Sequence, residues 1–228
     1  MVLKIYAIPM SNSAKRVAVV LYEKKIPHEF INVDMTNQEH KSAAYLDKQP
    51  FGQVPYIDDD GFILYESRAI CRYLEAKYPN QGPKLAPSFG EGEGEDSIKA
   101  TALFEQAASI EISNFDPYAG KAFFEGLFKP FFLKQPKDEV KYEEAIKTLS
   151  DKLDGYERVL AKQKYLAGNE ITMVDLFHLP FGSMLVQGGS DIMTSKGPNV
   201  ARWWKDVVSR ESWQVVKGDI PTGTVTFD

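Results

Sequence analysis

Two serines stand immediately before an amphipathic pattern near the start of the chain. The stretch SNSAKRVAVVLYEKK begins with Ser11 and Ser13, and apolar residues follow at helical spacing from Val17 onward. A serine at a helix start usually caps the helix by accepting a backbone hydrogen bond. A hydroxyl at that place can also donate to an anion, which the positive end of the helix dipole attracts. The spacing alone leaves open which serine caps and which does chemistry.

Cysteine and histidine usage limits the other chemistry that the chain can do. Cys71 is the single cysteine, which excludes an internal disulfide and a Cys-x-x-Cys redox or metal motif. It falls on an apolar helical face, and we interpret it as a small buried residue. The three histidines, His28, His40 and His178, lie far apart in the sequence without the spacing of metal ligands. We therefore expect no metal site.

Composition and charge narrow the class of protein. The chain has 228 residues, 43% of them hydrophobic, which suits one large or two modest globular domains. A net charge of −5 argues against nucleic acid or an anionic membrane surface as a partner. No secretory leader and no apolar run near 18 residues are seen, so we expect a soluble cytoplasmic protein. Residues 1–85 carry 11 Lys and Arg against 10 Asp and Glu, whereas residues 86–228 carry 16 against 22, so an anionic ligand suits the first part better.

The elements that must position these groups differ between the two parts of the chain. Within the first 80 residues, alternating and helical patterns follow one another in the order βαβ and then ββα, which is the layout of a thioredoxin-like domain. The sequence DDDG supplies Asp and Gly at the turn between the last two strands. The predicted elements are strands at 3–8 and 28–35, a helix at 14–24, a strand pair within 54–66, and a helix from Ser67 to Pro79.

The second part of the chain reads as helical. Residues 79–96 hold three prolines and four glycines and predict a linker. Apolar residues then recur along 142–160 at the spacing of one long helix, Thr172 and Asp175 have the spacing of a capping box, and NVARWWKDVVSRESW predicts a further helix. We therefore predict an α/β thioredoxin-like domain over residues 1–80, a linker over 81–96 and an all-α domain over 97–228.

Several segments together resemble one protein family over nearly the whole chain. PFGQVPYIDDDGFILYESRAICRYLEAKY is similar to the glutathione-binding half of cytosolic glutathione transferases, and MVDLFHLP to the capping motif of their helical domain. PMSNSAKRV, EHK and SNFDPYAGKAFFEGLFKP resemble the phi class in particular. The motifs keep the order and spacing of the family.

This resemblance implies an extended groove for glutathione in the first domain. Pro55 would be in the cis form and would turn the backbone of Val54 outward, so that it pairs with the cysteinyl unit like an added strand. Gln53 would hydrogen-bond the tripeptide backbone. His40 and Lys41 would meet the glycyl carboxylate, although a solvated charged turn is the simpler interpretation of these two residues by themselves.

The resemblance also assigns the pair Glu66 and Ser67. The Ser67 hydroxyl and N–H would take the γ-glutamyl carboxylate at a helix N-terminus, and Glu66 would pair with the ammonium group. The alternative is that Ser67 only caps its helix and Glu66 favours the dipole.

Ser11 takes the catalytic place in the phi pattern. Its hydroxyl would donate a hydrogen bond to the glutathione sulfur and favour the thiolate, which is the reactive form. Ser13 is left with the capping role, or serves as a second donor. The family members that act through an enzyme thiol carry a cysteine near this position, and here there is none.

The resemblance implies a second, apolar substrate that lies between the two domains. Met10, Phe115, Tyr118 and Phe123 would line its pocket, since aromatic and Met side chains accept varied shapes. The alternative is that most of these residues are core packing.

The function that follows is a glutathione transferase with glutathione as co-substrate, which conjugates small hydrophobic electrophiles. Reduction of organic hydroperoxides is left open as a further activity. A ligand-binding protein of the same fold with little turnover is the main alternative, and a regulatory or structural member of the family is disfavoured. The resemblance also implies a homodimer. The sequence does not identify the natural electrophile or decide between roles such as detoxification and transport.

Overall fold

A computed structural model describes residues 2–87 and 94–227. Its strands form one sheet in the order β4-β3-β1-β2-β5, in which β1 and β2 are parallel and the other neighbouring pairs are antiparallel. The strands are β1 (Leu3–Ala7), β2 (His28–Asn32), β3 (Tyr56–Asp59), β4 (Phe62–Tyr65) and β5 (Gly223–Val225). The first four strands confirm the predicted order, and the predicted hairpin turn is present with positive φ at Asp60 and Gly61.

Helices follow the strands in the first part of the chain and make up most of the rest. They are α1 (Asn12–Glu23), α2 (Ala43–Leu46), α3 (Ser67–Lys77), α4 (Glu95–Ile110), α5 (Asp116–Phe123), α6 (Lys129–Phe131), α7 (Glu139–Leu160), α8 (Met173–Phe177), α9 (Leu179–Gln187), α10 (Ile192–Ser195), α11 (Pro198–Val208) and α12 (Glu211–Val216). Glu39–Lys41 form a 3₁₀ turn, and Glu111–Phe115 and Phe124–Phe128 are π-helical. None of the helices in the described ranges is long and apolar enough to cross a membrane.

The chain divides into two compact units at different places from the predicted ones. The first unit holds residues 1–85 and 211–228, and the second holds residues 86–210. We predicted that the all-α domain continues to residue 228. The structure instead joins the last residues to the first unit, because α12 packs beside α1 and β5 pairs with β2. Within the predicted linker, residues 88–93 lie outside the described residues, and α4 already begins at Glu95.

The core of the first unit lies between the sheet and the pair α1 and α3. Val17 and Ile70, one on each helix, are fully buried. Cys71 is also fully buried, and its Sγ contacts the Arg16 carbonyl oxygen at 3.5 Å. Burial raises the pKa of the Cys71 thiol to about 12. The interpretation of this cysteine as a small core residue is confirmed.

A buried hydrogen-bond network at the start of α8 joins several segments of the second unit. Thr172 and Asp175 form the predicted capping box, with the Thr172 N–H donating to Asp175 Oδ2 at 2.9 Å. The indole of Trp203 on α11 donates to Asp175 Oδ1, also at 2.9 Å. The predicted long helix is present as α7. The predicted helix across residues 199–213 is interrupted, because α11 ends at Val208 and α12 begins at Glu211.

Candidate active site

The register of the sheet brings most of the predicted site segments to one end of the first unit. Tyr6, near the end of β1, pairs with Tyr56, which begins β3, and Tyr56 pairs with Tyr65, which ends β4. The residues just after β1, just before β3 and just after β4 therefore leave the sheet together. Since β2 is parallel to β1, the segment that follows β2 leaves at the same end.

Ser11 occupies the boundary between the loop after β1 and helix α1. Its backbone is extended, so it is the N-cap, and its Oγ accepts a hydrogen bond from the Ala14 N–H at 3.2 Å. An accepted bond leaves the hydroxyl hydrogen available to donate elsewhere. Ser13 lies inside α1, so the expectation that Ser13 keeps the capping role is wrong. Ser11 is therefore the N-cap of α1, and its hydroxyl can still donate a hydrogen bond to a ligand.

The start of α1 offers a favourable place for negative charge. No acidic residue is present in its first turn, so no carboxylate of α1 offsets the positive end of the helix dipole. Ser11 is half-buried there, and Met10 beside it is 53% exposed. An anion next to the Ser11 hydroxyl would therefore meet both a donor and the helix dipole.

Helix α3 starts next to a buried cation. Ser67 is the first residue of α3 and is buried, and Arg16 Nη1 donates to its Oγ at 3.1 Å. The Arg16 side chain is only 2% exposed. A guanidinium that contacts the first residue of a helix adds positive charge to the helix N-terminus, which strengthens the preference of the N-terminus for a carboxylate. Arg16 was not predicted as a site residue, because it follows Lys15 just before the apolar stretch VAVVL and resembles an ordinary charged residue of the first helical turns.

Glu66 precedes α3 with an unusual backbone. Its φ is 70°, a conformation that L-residues rarely adopt, and such a residue costs about 1–3 kcal/mol and is commonly found at functional sites. The Glu66 side chain is exposed, and its C=O accepts the Ile70 N–H at 2.9 Å as the first bond of the helix. The carboxylate of Glu66 is thus open to solvent beside the buried Ser67.

The loop before β3 presents an unpaired backbone. The Val54–Pro55 peptide bond is cis, as the resemblance implies. Among the described residues, no hydrogen bond is formed by the N–H or the C=O of Val54. The neighbouring residue is fixed on both sides, since Tyr45 Oη donates to the Gln53 carbonyl at 2.7 Å and Gln49 Oε1 accepts the Gln53 N–H at 3.1 Å. The Val54 backbone is therefore a rigid edge that another peptide can pair with.

His40 and Lys41 lie beside the same loop. Lys41 Nζ donates to the Gly52 carbonyl at 2.9 Å. Gly52 has a φ of 58°, and a Cβ there would come within 2.8 Å of the His40 carbonyl oxygen, so this position requires glycine. His40 Nδ1 is buried and has no hydrogen-bond partner among the described residues. The Lys41 side chain and the His40 backbone therefore lie next to Gly52, the residue before Gln53.

The four residues predicted for a hydrophobic pocket have different surroundings. Phe115 is fully buried, and its ring lies 4.5 Å from the His178 ring, so it has the core position that the alternative interpretation foresaw. Tyr118 and Phe123 on α5 are half-buried, and the Phe123 ring lies 5.6 Å from that of Phe181. Met10 is exposed in the first unit.

A mixed sheet in the thioredoxin-like order with a cis-proline loop before β3, together with a helical unit, is the architecture of the glutathione transferase fold. Residues 5–84 match the family described as glutathione S-transferase, N-terminal domain, and residues 116–211 match its C-terminal domain. The chain therefore belongs to the glutathione S-transferase family and is a phi-class-like glutathione transferase.

Individual relatives agree with this assignment. The chain is 45% identical over 205 residues to glutathione S-transferase PM239X14 of Arabidopsis thaliana, covering 88% of this chain and 89% of the relative. It is 43% identical over 213 residues to glutathione S-transferase hmp2 of Hypomyces subiculosus, covering 93% and 96%. The crystal structure of glutathione transferase F2 from Populus trichocarpa superposes with a TM-score of 0.84 at 38% identity, covering 94% and 97%.

Proposed function

We propose that this transferase uses the Ser11 hydroxyl to stabilise the thiolate of bound glutathione, which then attacks small hydrophobic electrophiles. The observation that carries the proposal is the double use of Ser11. Its Oγ accepts from the Ala14 N–H, while its hydroxyl hydrogen stays available at the start of a helix without an acidic residue in its first turn. Ser11 therefore acts as a hydrogen-bond donor and needs no general base.

The required stabilisation is modest. A free thiol has a pKa of about 8.5, so only a few per cent is ionised at neutral pH. Lowering that pKa by about two units takes roughly 2.7 kcal/mol of preference for the thiolate. A hydrogen bond to a charged group contributes about 1.5–3 kcal/mol, and a helix N-terminus adds about 0.3–1 kcal/mol. One hydroxyl and one helix dipole are enough.

Glutathione would lie along the end of the sheet where the site segments meet. Ser67, supported by the Arg16 guanidinium, takes the γ-glutamyl carboxylate, and Glu66 pairs with the ammonium group. The unpaired backbone of Val54 binds the cysteinyl unit as an added strand, with Pro55 holding the turn.

The glycyl end of glutathione would meet the other side of the loop. Lys41 and His40 would meet its carboxylate, and the Gln53 side chain would hydrogen-bond the tripeptide backbone. In support, Lys41 Nζ reaches the Gly52 carbonyl next to Gln53, and His40 Nδ1 has no hydrogen-bond partner among the described residues. The proposal does not involve a metal ion. Retention of the protein on immobilised glutathione tests this groove separately from the chemistry.

The second substrate is proposed to be apolar. Met10, Tyr118 and Phe123 stay as the predicted contacts, since none of them is fully buried, whereas Phe115 is left out because it belongs to the core of its unit. Glutathione S-transferase I from maize has been solved with an atrazine glutathione conjugate, and it superposes with a TM-score of 0.84 at 29% identity, covering 95% of this chain and 96% of that one. We therefore propose aromatic halides as test electrophiles.

Two further parts of the proposal concern assembly and location. Phe51 is 63% exposed and Phe62 49% exposed on the first unit, and a homodimer would remove such apolar surface from water. A monomeric mass in solution would contradict the dimer.

The proposed location is the cytoplasm. The free thiol of Cys71 suits this compartment, where thiols stay reduced.

The decisive experiment is the replacement of Ser11. We expect Ser11→Ala to lower the rate of conjugation of an aryl halide by at least about tenfold, which corresponds to roughly 1.4 kcal/mol. Ser13→Ala is the matched control. It should retain activity, because Ser13 lies inside α1 and the proposed donor hydroxyl is that of Ser11 at the N-cap. Full activity in Ser11→Ala would reject the serine mechanism.

Two other measurements on the unmodified protein test the alternative functions. Binding of hydrophobic ligands without any measurable turnover would favour the ligand-carrying alternative, and turnover of organic hydroperoxides would add the peroxidase activity.

A further inference from the structure

The last residues of the chain form a segment that is attached to the first unit at several points. After α12, residues 217–225 (the C-terminal strap) run to strand β5, where Gly223 pairs with Phe30 and Val225 pairs with His28 on β2. Beyond the strap, the ring of Phe227 lies 5.4 Å from that of Tyr22 on α1. The strap is therefore held by α12 at one end and by the sheet edge at the other.

Between these two anchors the strap contacts the loop that carries Ser11. The Ile220 N–H donates to the carbonyl oxygen of Pro9 at 3.2 Å, and the Ile220 residue is only 2% exposed. Pro9 lies two positions before Ser11, and the Ser11 N–H donates to the Ile8 carbonyl at 3.1 Å within the same loop. The Ile8 carbonyl is thus bound within the loop, and the Pro9 carbonyl next to it is bound by the strap.

A second contact joins the strap to the first turns of α1. Lys15 Nζ donates to the Lys217 carbonyl at 3.1 Å, and the Lys15 residue is buried. Burial lowers the pKa of Lys15, and the nearby carboxylate of Asp219 on the strap opposes this effect. The strap is therefore hydrogen-bonded both to the loop before Ser11 and to the helix after it.

We propose that the C-terminal strap positions the catalytic loop, and that Ile220 is a positioning residue that acts through its backbone N–H on Pro9. The inference rests on the proposed role of Ser11. Because a hydrogen bond weakens steeply with distance and angle, a loop that moves by about 1 Å would lose much of its contact with the glutathione sulfur. In this role the strap acts on the reaction through the placement of Ser11.

The test replaces the donor and keeps the burial. Ile220→Pro removes the N–H and retains an apolar side chain, and Ile220→Val is the conservative variant that keeps both. The first readout is the pKa of the bound glutathione thiol, from the ultraviolet absorbance of the thiolate as the pH is varied. The second is the affinity for S-methylglutathione, which has no thiol to ionise and so reports on the groove alone.

We expect Ile220→Pro to raise the pKa of the bound thiol by about 0.5–1 unit, and to lower conjugation near pH 6.5 by about two- to fivefold. The loss should disappear above about pH 9, where the thiol ionises without help. Binding of S-methylglutathione should stay unchanged, and Ile220→Val should restore the thiol pKa of the original protein. A purely structural role would instead lower the rate equally at every pH.

An unchanged thiol pKa in folded Ile220→Pro would overturn the proposal. If that variant does not fold, deletion of residues 222–228, which removes β5 and keeps Ile220, carries the same expectation and the same contrary outcome. Ser11→Ala is measured alongside. If Ser11→Ala leaves the thiol pKa unchanged, the proposed function fails. If Ser11→Ala raises it and the strap variants do not, only the role of the strap fails.

Discussion

Arg16 Nη1 donates a hydrogen bond to the Ser67 hydroxyl oxygen at 3.1 Å, and both side chains are buried. This bond links helix α1, which starts at the proposed catalytic serine, to the first residue of helix α3. Because Ser67 Oγ already accepts from Arg16, its own hydrogen is free to donate to a carboxylate. The guanidinium also contributes a positive charge at the position where the γ-glutamyl carboxylate is proposed to bind.

Replacement of Arg16 should therefore weaken glutathione binding more than chemistry. We expect Arg16→Met, which keeps a long apolar stem, to raise the KM for glutathione by about tenfold, equivalent to about 1.4 kcal/mol, with a smaller change in kcat. Steady-state kinetics with glutathione as the varied substrate measures both.

The partner variant decides whether the effect passes through Ser67. Ser67→Ala and the double variant with Arg16→Met complete a double-mutant cycle, and residues in direct contact should give non-additive changes. Additive changes in KM would show that Arg16 acts independently of Ser67. Thermal unfolding of all three variants controls for loss of the fold.

Ser11 can be separated into its two roles. Ser11→Asp keeps a good helix cap but loses the donor and adds a negative charge beside the sulfur, so activity should fall at least as far as in Ser11→Ala. Its free energy of unfolding should stay close to that of the original protein, whereas Ser11→Ala should lose about 1 kcal/mol because the Ala14 N–H loses its acceptor. Denaturant titrations and conjugation rates give the two values. Activity retained in Ser11→Asp would show that no hydroxyl donor is needed.

Asp175 should be important for stability and not for chemistry. Its buried carboxylate accepts hydrogen bonds from the Leu166 and Thr172 N–H groups and from the Trp203 indole. In Asp175→Asn, an amide group would face some of these donors, and we expect a loss of about 3 kcal/mol in the free energy of unfolding. Asp154→Asn is the matched control, because Asp154 is half-exposed and pairs with Lys196 at the surface, and it should cost less than about 1 kcal/mol. Equal losses in the two variants would contradict this role for the capping box.

His28 should make stability depend on pH. Burial lowers the pKa of His28 below its ordinary value of 6.5, so the unfolded chain takes up a proton before the folded one. Stability is therefore full above about pH 6.5 and is lost as the pH falls from there toward the folded-state pKa. His28→Asn can keep a donor to the Ile26 carbonyl, which His28 Nδ1 contacts at 2.8 Å, but it cannot titrate.

Urea unfolding near pH 7.5 and near pH 5.5 measures this effect. The difference in the free energy of unfolding between the two pH values should be smaller in His28→Asn than in the original protein. An unchanged difference would mean that other groups are responsible for the pH dependence.

Local sequence patterns predicted the parts of the fold that depend on neighbouring residues. The hairpin at Asp60 and Gly61, the capping box of Thr172 and Asp175 and the seam of helix α7 are each formed within a few residues of their signals. Turn geometry, capping bonds and helical periodicity are short-range effects, so their residues can be recognised in one sequence. The family motifs added the site residues, and Ser11, Ser67 and Val54 do lie at elements that leave the same end of the sheet.

What the sequence could not supply are the contacts between residues far apart along the chain. Arg16 meets Ser67 across 51 positions, and Ile220 meets Pro9 across almost the whole chain. Arg16, a charged residue just before the apolar stretch VAVVL, and Ile220, a single isoleucine between Asp219 and Pro221, carry no local indication of their partners. The sequence by itself determined the fold class, the family and the serine at the helix start. The choice of Ser11 over Ser13 as the cap is also local, since it is set by the hydrogen bond from the Ala14 N–H, but the sequence pattern left the two serines undecided. The tertiary structure decided that Phe115 is core and that the C-terminal strap belongs to the first unit, because these outcomes depend on how separate elements pack together.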